Sequence, residues 1–311
     1  MAYKSCEDSL HTICFMPEGL RHCMYMIPEN APPVIPIFSN RPVDPEMVFD
    51  LKFEIEEMRM DGYLQSDCEN CFRACVKDFD NEDYINKVLI SHKIDCNAHC
   101  SFCYNKYAEN IRYNPYKIMP QLEQFKPYFK NCEMHFGGGE PTMWDEFDDI
   151  VDFAIKERFK KIFIATNGSI YSEKLAQAIK MGMAEPVFTT DTADAELFAK
   201  MKGLDFNEVT ENIKKYLECD EERIAVRNKY LIIPDVNDNE ESIRKWVEYN
   251  EELGVKNLAI DIEAIFFNEN RGQIDEKYKK LVLFAENLIL EKGLKCDLYS
   301  FASQMKYDDN K

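Results

Sequence analysis

The stretch Ile94-Asp95-Cys96-Asn97-Ala98-His99-Cys100-Ser101-Phe102-Cys103-Tyr104 sets three cysteines at C-x3-C-x2-C spacing, and about thirty residues later the chain reads Phe136-Gly137-Gly138-Gly139-Glu140-Pro141. Three thiolates on one short loop can hold three irons of a four-iron cluster and leave the fourth iron without a protein ligand, open to a small molecule. A structural zinc site normally takes four protein ligands, often as two C-x2-C halves, and no fourth Cys or closely following His completes this loop. His99 lies inside it, between Cys96 and Cys100, badly placed for the same ion. A disulfide framework is disfavoured in so long a chain with no secretory signal.

Working outward, short apolar runs bounded by turn residues recur at 87–94, 132–136, 161–165, 186–190, 224–233 and 257–262, and read as six strands. Helical patterns fill the gaps at 146–158, 172–181, 193–201, 206–217 and 240–253, the last stopping at Gly254. Alternating strand and helix means a parallel sheet with right-handed crossovers. Six such units give an α/β fold, a partial (β/α)6 TIM-like barrel, in which chemistry collects at the carboxyl ends of the strands. The cysteine loop follows the first strand, Gly138-Gly139-Glu140 the second and Thr166-Asn167-Gly168 the third, while Thr189-Thr190-Asp191 ends the fourth.

The loop, with the aromatic Phe102 just before its last Cys, resembles the cluster motif of the radical S-adenosylmethionine (SAM) superfamily. Gly138-Gly139-Glu140-Pro141 resembles that family's second-strand SAM-binding motif, and the resemblance covers residues 86–263. It implies a 4Fe-4S cluster on Cys96, Cys100 and Cys103 whose free iron takes SAM. Reductive cleavage would then give a 5'-deoxyadenosyl radical that removes hydrogen from a substrate. A low-potential electron donor such as flavodoxin or ferredoxin is implied too. Within that resemblance Gly138 and Gly139 let backbone approach the ligand, Glu140 holds the methionyl ammonium, and Asn167 belongs to the third-strand part of the site. Thr189 and Asp191 match the ribose contacts, with Thr where the family more often has Ser. The alternative is that Thr189 and Asp191 end a strand and cap the next helix. On the fifth strand Arg227 and Lys229 share a face, where either would pair with the SAM carboxylate; the alternative is an edge strand with solvated charges. On the sixth, Ala259, Asp261 and Glu263 share one face and Leu258, Ile260 and Ile262 the other.

Residues 1–83 lack this alternation and read as a small cysteine-rich N-terminal domain before a barrel of residues 84–311. They carry Cys6, Cys14, Cys23, Cys68, Cys71 and Cys75, six of the chain's twelve cysteines, around the Pro-rich stretch 27–36 and a helix over 45–60. Cys68-Glu69-Asn70-Cys71-Phe72-Arg73-Ala74-Cys75 spaces a second metal site, and Gly19-Leu20-Arg21-His22-Cys23 resembles the glycine-turn-cysteine element of SPASM and twitch auxiliary-cluster domains. That element departs from the pattern by preceding the barrel and by a gap one residue short. The ligands expected are Cys6, Cys23, Cys68 and either Cys71 or Cys75. An auxiliary iron-sulfur cluster, a zinc site and redox thiols all stay open, and Cys14 reads as a packed core thiol.

Thirty-eight basic against fifty-seven acidic residues give a net charge of −19, which repels phosphate backbones and argues against nucleic-acid partners. With no apolar run of membrane-spanning length and no targeting signal, the expectation is a cytoplasmic chain without membrane partners. Beyond the sixth strand a helix at 274–290 and a run at 294–299 are expected to close the barrel's open side. The substrate expected from the SPASM-like element is a peptide or protein; the alternative is a small metabolite such as a sugar alcohol. The remaining class is a non-catalytic iron-sulfur or zinc protein.

Overall fold

The computed structural model describes residues 3–6, 10–21, 35, 37, 41–62, 74–78, 82–103, 116–270, 275–299 and 302–303. The chain forms an α/β fold with nine strands in one mostly parallel sheet, and it divides into two compact units. The first holds Met1–Ile94, Asn110–Gly139 and Trp144–Ile162; the second holds Asp95–Glu109, Glu140–Met143 and Phe163–Lys311.

In the first unit, β1 (Tyr3–Cys6) pairs antiparallel with β4 (Ala74–Lys77), apart from the main sheet. The main sheet runs β6 (Phe129–Phe136), β5 (Ile85–Ile90), β2 (Thr12–Met16), β3 (Gly19–Arg21). Strand β2 is parallel to β5, with Phe15 opposite Ile90, and β3 folds back on it. Thr12–Met16 therefore lies within the range expected as a separate domain, yet shares the sheet of the first barrel strand. Its run of Ile13, Cys14 and Phe15 is fully buried, as an interior strand requires. Helix α1 (Pro45–Met60) starts where Asp44 accepts the Glu46 amide and Pro45 presets the first turn, and it stops before Gly62, at φ +88°. Its Lys52 is 2% exposed because Nζ donates to the Leu10 and Thr12 carbonyls, each at 2.6 Å. Helix α2 (Met119–Phe125) follows, and α3 (Phe147–Lys156) buries Phe147, Ile150, Val151 and Ala154, one face at helical spacing.

In the second unit the order is β7 (Lys161–Thr166, from Phe163), β8 (Ala184–Thr189), β9 (Arg227–Ile232), β10 (Asn257–Ile262), β11 (Lys295–Leu298). The β8–β9, β9–β10 and β10–β11 pairings are all parallel. The crossover helices are α4 (Glu173–Lys180), α5 (Ala195–Lys202), α6 (Phe206–Cys219) and α7 (Glu240–Leu253). Ser172, Asp194, Asp205 and Asn239 cap their first turns by accepting backbone amides, and Gly203 and Gly254 end α5 and α7 in the left-handed conformation. The short α8 (Ala264–Glu269) and the 16-residue α9 (Glu276–Glu291) follow β10.

All six expected strands are present. The 294–299 run is strand β11, which extends the sheet beside β10. The fifth strand begins at Arg227 rather than 224 and is flanked by β8 and β10, so the edge-strand alternative for Arg227 and Lys229 is overturned. The helix-cap alternative for Thr189 and Asp191 also fails: α5 is capped by Asp194, whose Oδ1 accepts the Glu196 and Leu197 amides at 2.9 Å. Among the described residues no helix is long and apolar enough to cross a membrane.

Candidate active site

Cys96, Cys100 and Cys103 follow β5 on a loop whose three thiols are all free of disulfides. The loop has little regular structure and is held by specific bonds instead. The His99 amide donates to the Lys202 carbonyl (2.8 Å), the Cys103 amide to the Cys100 carbonyl (3.3 Å) and Asn97 Nδ2 to Ser169 Oγ (2.8 Å). Burial pushes the Cys100 thiol up to about 11 and the Cys96 thiol up as well, and the neighbouring cysteines of the loop add to both shifts. Three thiols gathered on one loop are a donor set that a metal cluster would hold as thiolates. Among the described residues no group of three His, Cys, Asp or Glu side chains is arranged for a single metal ion. Three cysteines with no fourth protein ligand on the loop suit a four-iron cluster with one open iron, whereas a structural zinc site takes four protein ligands.

Glu140, past the end of β6, is 1% exposed. Its Oε1 accepts Thr142 Oγ1 and Thr166 Oγ1, both at 2.7 Å, and its Oε2 accepts the Asn167 amide at 2.7 Å. Its own amide donates to the Asp95 carbonyl at 2.8 Å. Glu140 therefore links the end of β7, held by its carboxylate, to the start of the cysteine loop, held by its amide. Asn167 completes the link: its Nδ2 donates to Asn97 Oδ1 at 2.9 Å and points at Cys96 Sγ from 3.8 Å. The cysteine motif, the glutamate motif and the third-strand turn meet at one place. The preceding Gly138 sits at φ +90°, and a Cβ there would come 2.6 Å from the Lys93 carbonyl. The close approach that demands glycine is made to the chain's own backbone.

Thr189 ends β8 and Asp191 follows two residues later, but Asp191 is committed elsewhere. At φ +59° and 1% exposed, it accepts the Leu231 amide on Oδ1 (2.9 Å) and pairs with Lys202 through Oδ2 (2.6 Å). Arg227 stands at the amino end of β9, away from the carboxyl ends that carry the loops, with Asp297 at 3.0 Å and Tyr299 Oη at 3.0 Å. Lys229, two residues nearer the carboxyl end, lies 5.8 Å from the Tyr299 ring centroid. Asp261 and Glu263 are both buried; Asp261 Oδ1 accepts the Ala302 amide and Glu263 Oε2 the Phe266 amide. Phe102 lies 5.9 Å from Lys202 Nζ.

Sequence reading missed Asn97, Thr142 and Lys202, and placed Thr166 at a strand end without giving it a role. Asn97 and Thr142 were findable as polar residues within a residue or two of the motifs; nothing local marks Lys202. For the auxiliary site, Cys23, Cys68 and Cys71 lie outside the described residues. The β1–β4 ladder sets Ser5 opposite Cys75 and Cys6 opposite Ala74, so the backbone brings Cys6 and Cys75 to adjacent rungs.

With this geometry in place, comparison with known proteins gives consistent findings. The profile of the Radical SAM superfamily matches residues 90–247, just over half of the 311-residue chain. The chain is 24% identical over 193 residues to a GTP 3',8-cyclase of Vibrio parahaemolyticus, covering 60% of this chain and 54% of that protein. It is 26% identical over 206 residues to the tungsten-containing aldehyde ferredoxin oxidoreductase cofactor-modifying protein of Pyrococcus furiosus, covering 64% and 49%. The chain spans about half the length of the curated relatives it matches. Among solved structures, Streptococcus suis SuiB bound to S-adenosylmethionine superposes with a TM-score of 0.58 at 15% identity, covering 86% of this chain and 58% of that one.

Proposed function

The chain belongs to the radical SAM superfamily, and from that premise we propose that it cleaves S-adenosylmethionine reductively and abstracts hydrogen from a small-molecule substrate. The observation that carries the reading is Asn167, which binds Glu140 through its amide and faces Cys96 through its side chain. The two motifs that would serve cluster and SAM are thereby one structure.

In this reading Cys96, Cys100 and Cys103 hold a 4Fe-4S cluster. When bound, cluster and SAM supply one-electron cleavage of a carbon–sulfur bond and a 5'-deoxyadenosyl radical. The chain's residues do the orienting. Glu140 would accept the methionyl ammonium of SAM through Oε2, which the Asn167 amide only partly occupies. Thr189 offers a hydroxyl to the ribose, Phe102 an apolar wall beside the cluster, and Lys229 a cation for a carboxylate. A reducing protein such as flavodoxin or ferredoxin supplies the electron.

The small-molecule reading is favoured over peptide modification because the sequence relatives are named for GTP cyclisation and for modification of an oxidoreductase cofactor. The peptide-bound SuiB structure, at 15% identity, supports the fold alone. An auxiliary cluster on Cys6, Cys23, Cys68 and Cys71 or Cys75 is a further part of the proposal.

The test is iron and sulfide content after anaerobic purification, together with 5'-deoxyadenosine formed from SAM and a chemical reductant. About eight irons per chain falling to about four in Cys96→Ala/Cys100→Ala/Cys103→Ala, with loss of deoxyadenosine, is expected. Iron unchanged by the triple substitution would sink the reading. Deuterated candidates then separate substrate classes: label entering deoxyadenosine from a nucleotide supports the small-molecule reading, and label from a peptide overturns it.

A further inference from the structure

Lys202, the last residue of α5, is buried beneath the cysteine loop at 2% exposure. Its Nζ pairs with Asp191 Oδ2 at 2.6 Å, donates to the Thr189 carbonyl and reaches Thr189 Oγ1 at 3.2 Å. It lies 5.9 Å from the ring centroid of Phe102, the neighbour of Cys103. Its carbonyl accepts the amide of His99, the neighbour of Cys100. The next residue, Gly203, is left-handed at φ +71° and would place a Cβ 3.5 Å from the His99 ring. The loop therefore rests directly on the end of α5.

A lysine is almost never so fully buried, and removing a pair's two charges from water is costly, so such pairs are weak evidence for stability. A fixed cation at a redox site has a definite effect, because reduction adds negative charge that the cation stabilises. We propose that Lys202 is a positioning residue for the cluster, setting a buried positive charge under the cysteine loop beside Phe102 that raises the cluster's reduction potential, with Asp191 fixing where that charge stands. This rests on the cluster reading above. It reassigns Asp191 from ribose contact to holding Lys202.

The test is an EPR-monitored redox titration of the anaerobically purified full chain without SAM, alongside iron content. Lys202→Met should keep its iron and lower the reduced-to-oxidised ratio at a fixed potential about tenfold, a midpoint about 59 mV more negative for one electron. Lys202→Arg, which keeps the charge, should stay within about twofold of wild type. Asp191→Asn should move the ratio the opposite way, and it remains decisive if Lys202→Met fails to fold. Full iron with an unchanged midpoint in Lys202→Met, or no rise in Asp191→Asn, overturns the proposal. Absence of iron from the wild type would sink the cluster reading and this inference with it, whereas iron with unmoved midpoints sinks this inference alone.

Discussion

At the scale of single residues, the segment joining β5 to the cysteine loop combines two constraints of different kind. Gly138 is held at φ +90° against the Lys93 carbonyl, so Gly138→Ala forces both an unfavourable backbone and a 2.6 Å contact with main chain that cannot swing aside. We expect a loss of about 2–4 kcal/mol in urea unfolding, with weaker SAM binding measured by calorimetry; an Ala variant as stable as wild type would refute the packing argument. His92, 2% exposed between Tyr116 and Trp144, finds no hydrogen-bond partner for either ring nitrogen among the described residues, and burial lowers its pKa from 6.5 to about 3. The folded ring is neutral while the unfolded ring takes a proton below about 6.5. Stability is therefore complete above that value and falls as pH drops from 6.5 towards 3, by up to roughly 5 kcal/mol. Unfolding at pH 7 and pH 5 should show this slope, and His92→Leu should flatten it without loss of stability at pH 7.

At the scale of elements, the end of β8 is anchored by a closed polar chain. Trp246 Nε1 donates to Thr190 Oγ1 (2.8 Å), Thr190 Oγ1 to Asn228 Oδ1 (3.1 Å), Asn228 Nδ2 to Asn250 Oδ1 (2.8 Å), and Asn250 Nδ2 to the Trp246 carbonyl (2.8 Å). Every member is fully buried, so the chain is costly to interrupt in the middle. Asn228→Ala strands two partners and should cost about 2–4 kcal/mol, whereas Trp246→Phe, which leaves Thr190 bonded to Asn228, should cost about 1–2; denaturant titrations giving the reverse order would refute the network. None of this was legible from pattern. The strands and helices were, because period-two and period-3.6 spacing is written locally, and with them the site loops at the strand ends. Which strand neighbours which is not local, so an edge strand stayed open as the alternative for Arg227 and Lys229 until the sheet order set β9 between β8 and β10. The Asp191 and Asp194 pair shows the same limit: both suit a helix cap by type, and only Asp194 has the extended backbone the role needs. Lys202 reads as a helix-end lysine complementing the dipole, and its burial comes from the loop lying over it.

At the scale of the whole molecule, the net charge of −19 bears on the one partner that radical chemistry requires, the electron donor. Two acidic proteins repel at distances beyond contact, and salt weakens that repulsion once the Debye length falls to about 10 Å near 0.1 M. If the donor is an acidic flavodoxin or ferredoxin, its bimolecular rate of cluster reduction should rise severalfold between about 0.01 and 0.15 M salt, the opposite of electrostatically steered association. A small uncharged reductant should show no such dependence, and the comparison isolates encounter from electron transfer. Stopped-flow bleaching of the cluster absorbance checks both. A rate that falls with salt for the protein donor would mean that a local basic surface dominates the encounter despite the acidic whole, and Lys or Arg clusters near the cysteine loop would then become the docking candidates.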